Sequence, residues 1–360
     1  MLGNRKLILD THSEIYSMIK DHADGIFWNL EQHIQKNQVV PGAIYVVGRE
    51  QMRLYNKQLR RLIDDSGIKA VFSNPHEGSE TLKNHCYHYD IADLVLDNKI
   101  LLVGGGDMDS AWPCLQYDSF LPKILDYNEN LTAIADYKQN FTVDRPYKFL
   151  LLNGRARLHR TQLLAKLAGL LDQAIWTNLD SDAGPIQLLD LKYEYDHVAT
   201  TSGIPNSGFV KHQLFDNKWG DVYIKENLYQ DTYFSIVTET VFDYPYSFRT
   251  EKIWKPIAIG HPWIAVASQG FYRDIHRLGF RTFGHLIDES FDQIDNNQDR
   301  LDRIANIVQD LCQQDLVSFL NSAQEVCEHN QQHLVEMRPK IRQEFPKRFV
   351  QFIKQYAYDQ

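Results

Sequence analysis

The sequence predicts an α/β protein of two doubly wound domains followed by a helical C-terminal segment. Three observations predict it. Short apolar runs ending in Gly or Asn alternate with helix-compatible text, the same alternation restarts after a polar, aromatic stretch, and long polar helical text follows Asn297. Apolar, β-rich runs closed by turn formers and separated by helices are the pattern of buried parallel strands.

The runs come in order as Ala43–Val47 in GAIYVVG, Ala70–Phe72 in KAVFSN and Ile100–Val103 in KILLVGGG, with a helix over Met52–Asp64. Residues 1–145 are read as one Rossmann-like domain. The stretch Asp136–Lys148, DYKQNFTVDRPYK, carries a boundary at Pro146, because proline and the residue before it disfavour a continuing helix. Beyond it, Phe149–Leu152, Tyr233–Val237 and Trp263–Ala267 read as strands. Helices are expected over Arg160–Leu171, between the last two strands, and over Phe271–Leu278. This is βαβ grammar again, so residues 146–296 form a second Rossmann-like domain. Between Asp172 and Lys225 the text is rich in Asp, Gly, Ser and Asn and reads as irregular structure or a small hairpin. Residues 297–360 are helices expected to close the molecule.

A chain of 360 residues, 43% hydrophobic, supports two domains with sizeable cores. The formal net charge of -9 repels polyanions, so nucleic acid is an unexpected partner. Cys86, Cys114, Cys312 and Cys327 lack CxxC spacing and read as reduced thiols. The N-terminus has no apolar signal core, and no run reaches the roughly 18 apolar residues of a membrane span. A cytoplasmic protein with no membrane span is expected.

The first chemical constellation is KFLLLNGRARLHRTQLLAKLAGLL. A strand runs into Asn153 and Gly154, then Arg155, Arg157, His159 and Arg160 crowd the turn before a helix. Ligands of open α/β sheets bind beyond the carboxyl ends of strands, and a helix N-terminus favours anions. Cations at such a point call for an anion, and an arginine fork grips phosphate oxygens. A solvated basic turn is the plainer alternative.

The second constellation is FSIVTETVFDYPYSFRTEKIWKPIAIGHPWIAVASQG. A strand leads to Glu239, an aromatic loop follows, and Thr250-Glu251-Lys252 opens a helix that Pro256 should bend or shorten. Thr250 is a competent N-cap and Glu251 suits the positive helix end, whereas Lys252 again asks for an anionic neighbour.

This block resembles the donor-binding motif of α1,3-fucosyltransferases: Phe234–Glu239, Tyr244–Phe248, Thr250–Lys252, Ile253–Gly260 and Pro262–Ala267 stand in that family's order. Phe149–Leu170 is similar to the family's strand, Asn, Arg and helix arrangement, with Asn153 and Arg160 at the matching positions. Thr240 stands where the family usually has Asn, and the loop to Thr250 is slightly longer. The resemblance implies two Rossmann-like domains facing across a cleft, a GT-B-like fold, with a nucleoside-diphosphate sugar held mainly by the second. It implies that Arg160 and Lys252 neutralise the diphosphate and that Glu239 and Glu251 accept ribose or sugar hydroxyls, Glu251 serving equally well as a helix-end carboxylate.

Inverting transfer to the hydroxyl of a glycan or other acceptor needs a base, expected on a loop of the first domain. NPHEGSE offers Glu77, the first choice; GGGDMDS offers Asp107 and Asp109. Solvated loop carboxylates are the plainer reading of each. An Asp-x-Asp pair can hold Mg²⁺ or Mn²⁺ against a diphosphate, but Asp is abundant here and no obligatory metal is expected. His85, Cys86 and His88 lack a partner pair at metal-binding spacing. The stripe Trp254, Trp263, Phe271, Tyr272 and Phe280 reads as core and cleft wall. The competing classes are a non-catalytic nucleotide-sugar- or glycan-binding protein and a glycosyltransferase acting on modified DNA bases, which the net charge does not favour.

Overall fold

The computed structural model describes residues 5–106, 108, 111–154, 157–178 and 221–357. Two compact units divide the chain: Met1–Ser119 with Pro339–Gln360, and Phe120–Arg338. The boundary expected at Pro146 therefore lies inside the second unit, and the last part of the C-terminal segment belongs to the first.

The first unit runs β1 (Leu7–Asp10), α1 (Tyr16–Ile19), β2 (Gly25–Phe27), α2 (Leu30–Gln35), β3 (Ile44–Gly48), α3 (Arg49–Ser66), β4 (Lys69–Asn74), α4 (Ser79–His88), α5 (Ala92–Leu96), β5 (Ile100–Gly104) and β6 (Cys114–Gln116). The strands form one parallel sheet in the order β2-β1-β3-β4-β5-β6. Its strands are apolar on both sides because both faces are covered. Ile8, Tyr45, Val47, Phe72 and Leu102 pack with Met52, Leu59 and Ile63 of α3 and Leu82 of α4. Leu9, Val46, Val71 and Val103 pack with Ile15, Ile19, Phe345, Phe349 and Phe352. Gly67 ends α3 in the left-handed region (φ 61°), where a side chain is unfavourable.

The second unit continues with α6 (Phe120–Asp126), α7 (Asn128–Asp136), β7 (Tyr147–Asn153), α8 (Leu158–Lys166), β8 (Ala174–Asn178), α9 (Glu226–Gln230), β9 (Thr232–Thr238), α10 (Glu251–Ala258), β10 (Trp263–Val266), α11 (Phe271–Arg277), α12 (Asn297–Leu311) and α13 (Leu316–Ala357). Its sheet is also parallel, in the order β10-β9-β7-β8. The helix expected to reach Leu171 stops at Lys166 and is followed by a 3-10 turn, Ala168–Gln173. β8 occupies Ala174–Asn178, where irregular structure was expected; its run AIW is too short for periodicity to reveal. Trp254, Trp263, Phe271, Tyr272 and Phe280 are all core.

Both sheets share one topological feature. The second strand in sequence joins one side of the first, and the third joins the other side. The chain thus reverses its winding between β1 and β3, and again between β7 and β9. Crevices at such switch points, beyond the carboxyl ends of the strands, are where α/β sheets bind ligands.

Candidate functional site

The residues singled out in the second unit converge on the β7/β9 switch point. Asn153 ends β7, and its side-chain oxygen accepts from Thr238 Oγ1 at 2.5 Å, which ties the ends of the two strands together. Its amide nitrogen, Nδ2, is buried with no partner among the described residues. A buried donor left unmatched costs about 1–3 kcal/mol, so it marks a place where an acceptor would be welcome.

α8 is stapled to the same point. Arg160 is buried and donates from Nη2 to the carbonyls of Thr238 at 2.9 Å and Glu239 at 3.2 Å. His159 Nε2 lies 3.1 Å from the Glu239 carbonyl, and its ring stacks on Phe242. Burial, then the neighbouring Arg160 and Arg157, push His159 well below its usual range. It is a neutral donor, and this corrects its reading as a cation. Strand-end carbonyls, which carry partial negative charge, supply part of the anionic environment that the basic turn was expected to seek from a ligand.

α10 begins at the same strand end. Glu239 is fully buried, and both its oxygens are taken up inside the turn. Oε1 accepts from Thr250 N at 3.1 Å; Oε2 accepts from Thr250 Oγ1 at 2.6 Å and Thr240 N at 3.3 Å. Glu239 thereby braces β9 to the helix start. Burial raises its pKa, with Lys252 and the Thr250 hydrogen bonds opposing. Thr250 caps α10 as expected, accepting from Lys252 N.

Lys252 Nζ donates to Thr240 Oγ1 at 3.2 Å, Thr250 Oγ1 at 3.1 Å and Glu251 Oε1 at 2.5 Å, while 23% of its side chain stays exposed. For Glu251, burial alone would raise the pKa, but the charge and hydrogen bond of Lys252 outweigh it and hold the group low. Glu251 therefore serves Lys252 and the helix end. Arg157 occupies the residue before α8. Arg155 lies outside the described residues.

In the first unit, Glu77 sits in the turn after β4 as expected, but Arg49 Nη1 engages its Oε1 at 3.2 Å, and its carbonyl accepts from Gly105 N. Asp107 and Asp109 lie outside the described residues. No group of three or more potential metal ligands occurs among the described residues. His85 is packed on Tyr89 and bonded to Asn74, and burial lowers its pKa to about 4. Cys86, Cys114, Cys312 and Cys327 are all free thiols. No described helix is long and apolar enough to cross a membrane.

The group that sequence reasoning missed is Glu14. It follows β1, lies beside Ser73 at the end of β4 and the backbone N–H of Arg49 at the start of α3, and faces Asp10. Burial, with Asp10 adding to it, pushes its pKa up to about 7. The only signal in the sequence was its position just beyond LILD, a strand too close to the N-terminus to stand out. Comparison with family models, with curated proteins and with solved structures finds no match to this chain.

Proposed function

We propose that the protein is a glycosyltransferase that binds a nucleoside-diphosphate sugar at the β7/β9 switch point of its second unit. The observation that carries this reading is the convergence of two basic helix starts on one strand end. Arg160 of α8 and Thr250 of α10 both bond to the Thr238–Glu239 terminus of β9, with Lys252 partly exposed and Asn153 Nδ2 unmatched beside it. Helix N-termini, an ammonium and a buried amide donor make up a set of groups for phosphate oxygens. The likeness of Phe234–Ala267 to the α1,3-fucosyltransferase donor motif supports a sugar nucleotide as the phosphate compound, and a GT-B-like, inverting enzyme as the whole.

In this reading Lys252 and the helix starts stabilise the charge that develops on the departing diphosphate. Arg160, Glu239 and Thr250 hold those groups in place. No obligatory metal belongs to the proposal. Calorimetric titration with GDP-fucose, UDP-glucose and dTDP-glucose tests it. At least one should bind, and Lys252→Ala should weaken it tenfold or more. If none binds, or if Lys252→Ala binds as tightly as wild type, the donor site is not here.

A further inference from the structure

The end of α13 runs against the charge of the rest of the chain. From Pro339 to Lys354 it carries Lys340, Arg342, Lys347, Arg348 and Lys354 against Glu344 alone, in a protein whose net charge is -9. Its apolar side, with Phe345, Phe349, Phe352 and Ile353, is buried in the core beside Leu9, Val46 and Val103. The five cations are therefore left on the side that faces water, and all are exposed.

Ile15 and Ile19, at the two ends of the α1 segment, share that core with Phe345 and Phe349. Between the polar sides of the two segments lies a cleft of about 340 Å³. One wall carries Ser17 of α1 with Asp21 and His22 of the 3-10 turn Lys20–His22; the other carries Arg342, Gln343 and Lys347 of α13. All of these residues belong to the first unit. Elsewhere exposed cations are paired with carboxylates, as in Arg53–Glu50, Arg60–Asp93 and Arg303–Asp288. Here Lys347 Nζ and the Asp21 carboxylate line the same cleft yet do not come within 4.0 Å of each other. The side chains of Ser17, His22 and Gln343 likewise make no hydrogen bond among the described residues. Opposite charges that face one cleft without closing it leave room for a ligand that answers both.

The ligand class follows from how these groups are combined. A guanidinium and an ammonium together match a phosphate dianion, and arginine grips its oxygens in bidentate fashion. Asp21 is an acceptor only, so it takes hydrogen bonds from hydroxyls and disfavours an ion that is all charge. Ser17 and Gln343 both donate and accept, which suits the same hydroxyls. Met18 and Pro346 complete the lining with apolar surface for carbon. The volume stands at the small end of ligand pockets, which span about 300–1,000 Å³, and suits a single ring better than a nucleotide. We infer that this cleft binds a phosphomonoester of a small polyol, its phosphate on Arg342 and Lys347 and its hydroxyls on Asp21, Ser17 and Gln343. Such binding needs neither a sugar nucleotide nor any group of the second unit.

Calorimetric titration of the full-length protein with glucose 6-phosphate, inorganic phosphate and glucose tests the cleft. Glucose 6-phosphate should bind at least about tenfold more tightly than the other two, because it alone engages both sets of groups. Arg342→Ala and Lys347→Ala should each weaken it about tenfold, the worth of a charge-assisted hydrogen bond. Asp21→Ala should narrow the gap between glucose 6-phosphate and inorganic phosphate. Ser17→Trp, which fills the cleft and leaves every charge in place, should abolish binding. Ser17, Asp21, Arg342 and Lys347 are all exposed, so none of these changes removes core packing. Lys252→Ala should bind glucose 6-phosphate as wild type does, which separates this cleft from the β7/β9 site. Absence of glucose 6-phosphate binding at about 10 mM, equal affinity for inorganic phosphate, or an affinity indifferent to Arg342, Lys347 and Ser17 overturns the inference. Failure of every nucleotide sugar to bind, with cleft-dependent glucose 6-phosphate binding intact, would sink the transferase reading and leave this site standing.

Discussion

The two switch points make a controlled comparison within one chain. At β7/β9 the ionisable groups are spent on one another: Glu239 holds Thr250, Arg160 holds the end of β9, and Lys252 is ringed by Thr240, Thr250 and Glu251. At β1/β3, Glu14 Oε2 and the hydroxyls of Ser13 and Ser73 are buried without a well-formed hydrogen bond among the described residues. Equal topology therefore does not mean equal readiness for chemistry. The Glu239 carboxylate is satisfied and braces its turn, the Glu14 carboxylate is not, and the two should respond in opposite directions when each is removed.

The largest expected effect is on the satisfied side. Glu239→Ala strips partners from Thr250 N, Thr250 Oγ1 and Thr240 N and leaves Lys252 with less counter-charge. Breaking a buried, charge-assisted network of this kind costs about 3–5 kcal/mol. Urea unfolding at pH 7 should show that loss, and a change below about 1 kcal/mol would mean that Glu239 does not brace the turn.

Removing the other carboxylate should do the reverse. The pKa of Glu14 is raised to about 7 by burial, above its ordinary 4.5, so the folded protein holds a proton that the unfolded chain has already released. Stability from this group is therefore present below pH 4.5 and is lost as pH rises through about 7. Glu14→Gln escapes that loss: it should be more stable than wild type at pH 8 by up to about 3 kcal/mol, and equal to it at pH 4. Unfolding curves at both pH values decide this, and a destabilised Glu14→Gln at pH 8 would show a carboxylate used for structure.

Most of the fold was legible because parallel strands buried on both faces write themselves as apolar runs closed by turn residues. Ala70–Phe72 and Tyr233–Val237 fall within observed strands, and Ala43–Val47 overlaps β3. β8 was not legible, because three apolar residues carry no period, nor was the pairing of α13 from Pro339 onward with the first unit, a long-range choice made by Phe345, Phe349 and Phe352. In the candidate site, the sequence marked Thr250 as a cap; Arg157 stands just before α8, and Arg160 and Lys252 lie in the first turns of α8 and α10. It could not distinguish a cation facing a ligand from Arg160 facing carbonyls. Glu14 escaped notice because its surroundings are set by Arg49 and Ser73, residues roughly thirty-five and sixty positions away, rather than by any local motif.

Two of the buried histidines, one from each unit, set a smaller effect. His261 accepts from or donates to Ser235 Oγ at 2.9 Å through Nδ1 and lies 2.8 Å from the Thr232 carbonyl through Nε2, which makes it a neutral link between β9 and the turn into β10. Burial lowers it to about 3, and burial lowers His85 to about 4, both from 6.5. A depressed histidine contributes stability that is present above pH 6.5 and is lost as pH falls. Between pH 6.5 and 5 each should cost about 1–2 kcal/mol. His85→Gln and His261→Gln, compared as the change in stability between pH 7 and pH 5, should each flatten that slope. A slope unchanged in both variants would place the acid sensitivity elsewhere.

The smallest effect separates the two uses of Thr250. Its hydroxyl donates to Glu239 Oε2 and accepts from both Lys252 N and Lys252 Nζ, so a single oxygen serves the brace and the helix cap together. Thr250→Ser keeps the oxygen and should stay within about 0.5 kcal/mol of wild type, whereas Thr250→Ala should lose about 1–2 kcal/mol, the usual worth of an N-cap. The cap alone predicts that the loss is independent of residue 239. If the hydroxyl works mainly through the brace, the loss should shrink when Thr250→Ala is made on top of Glu239→Ala, giving a coupling energy of about 0.5–3 kcal/mol in the double-mutant cycle. Strict additivity would separate the cap from the brace and reduce the β7/β9 network to two unrelated contacts.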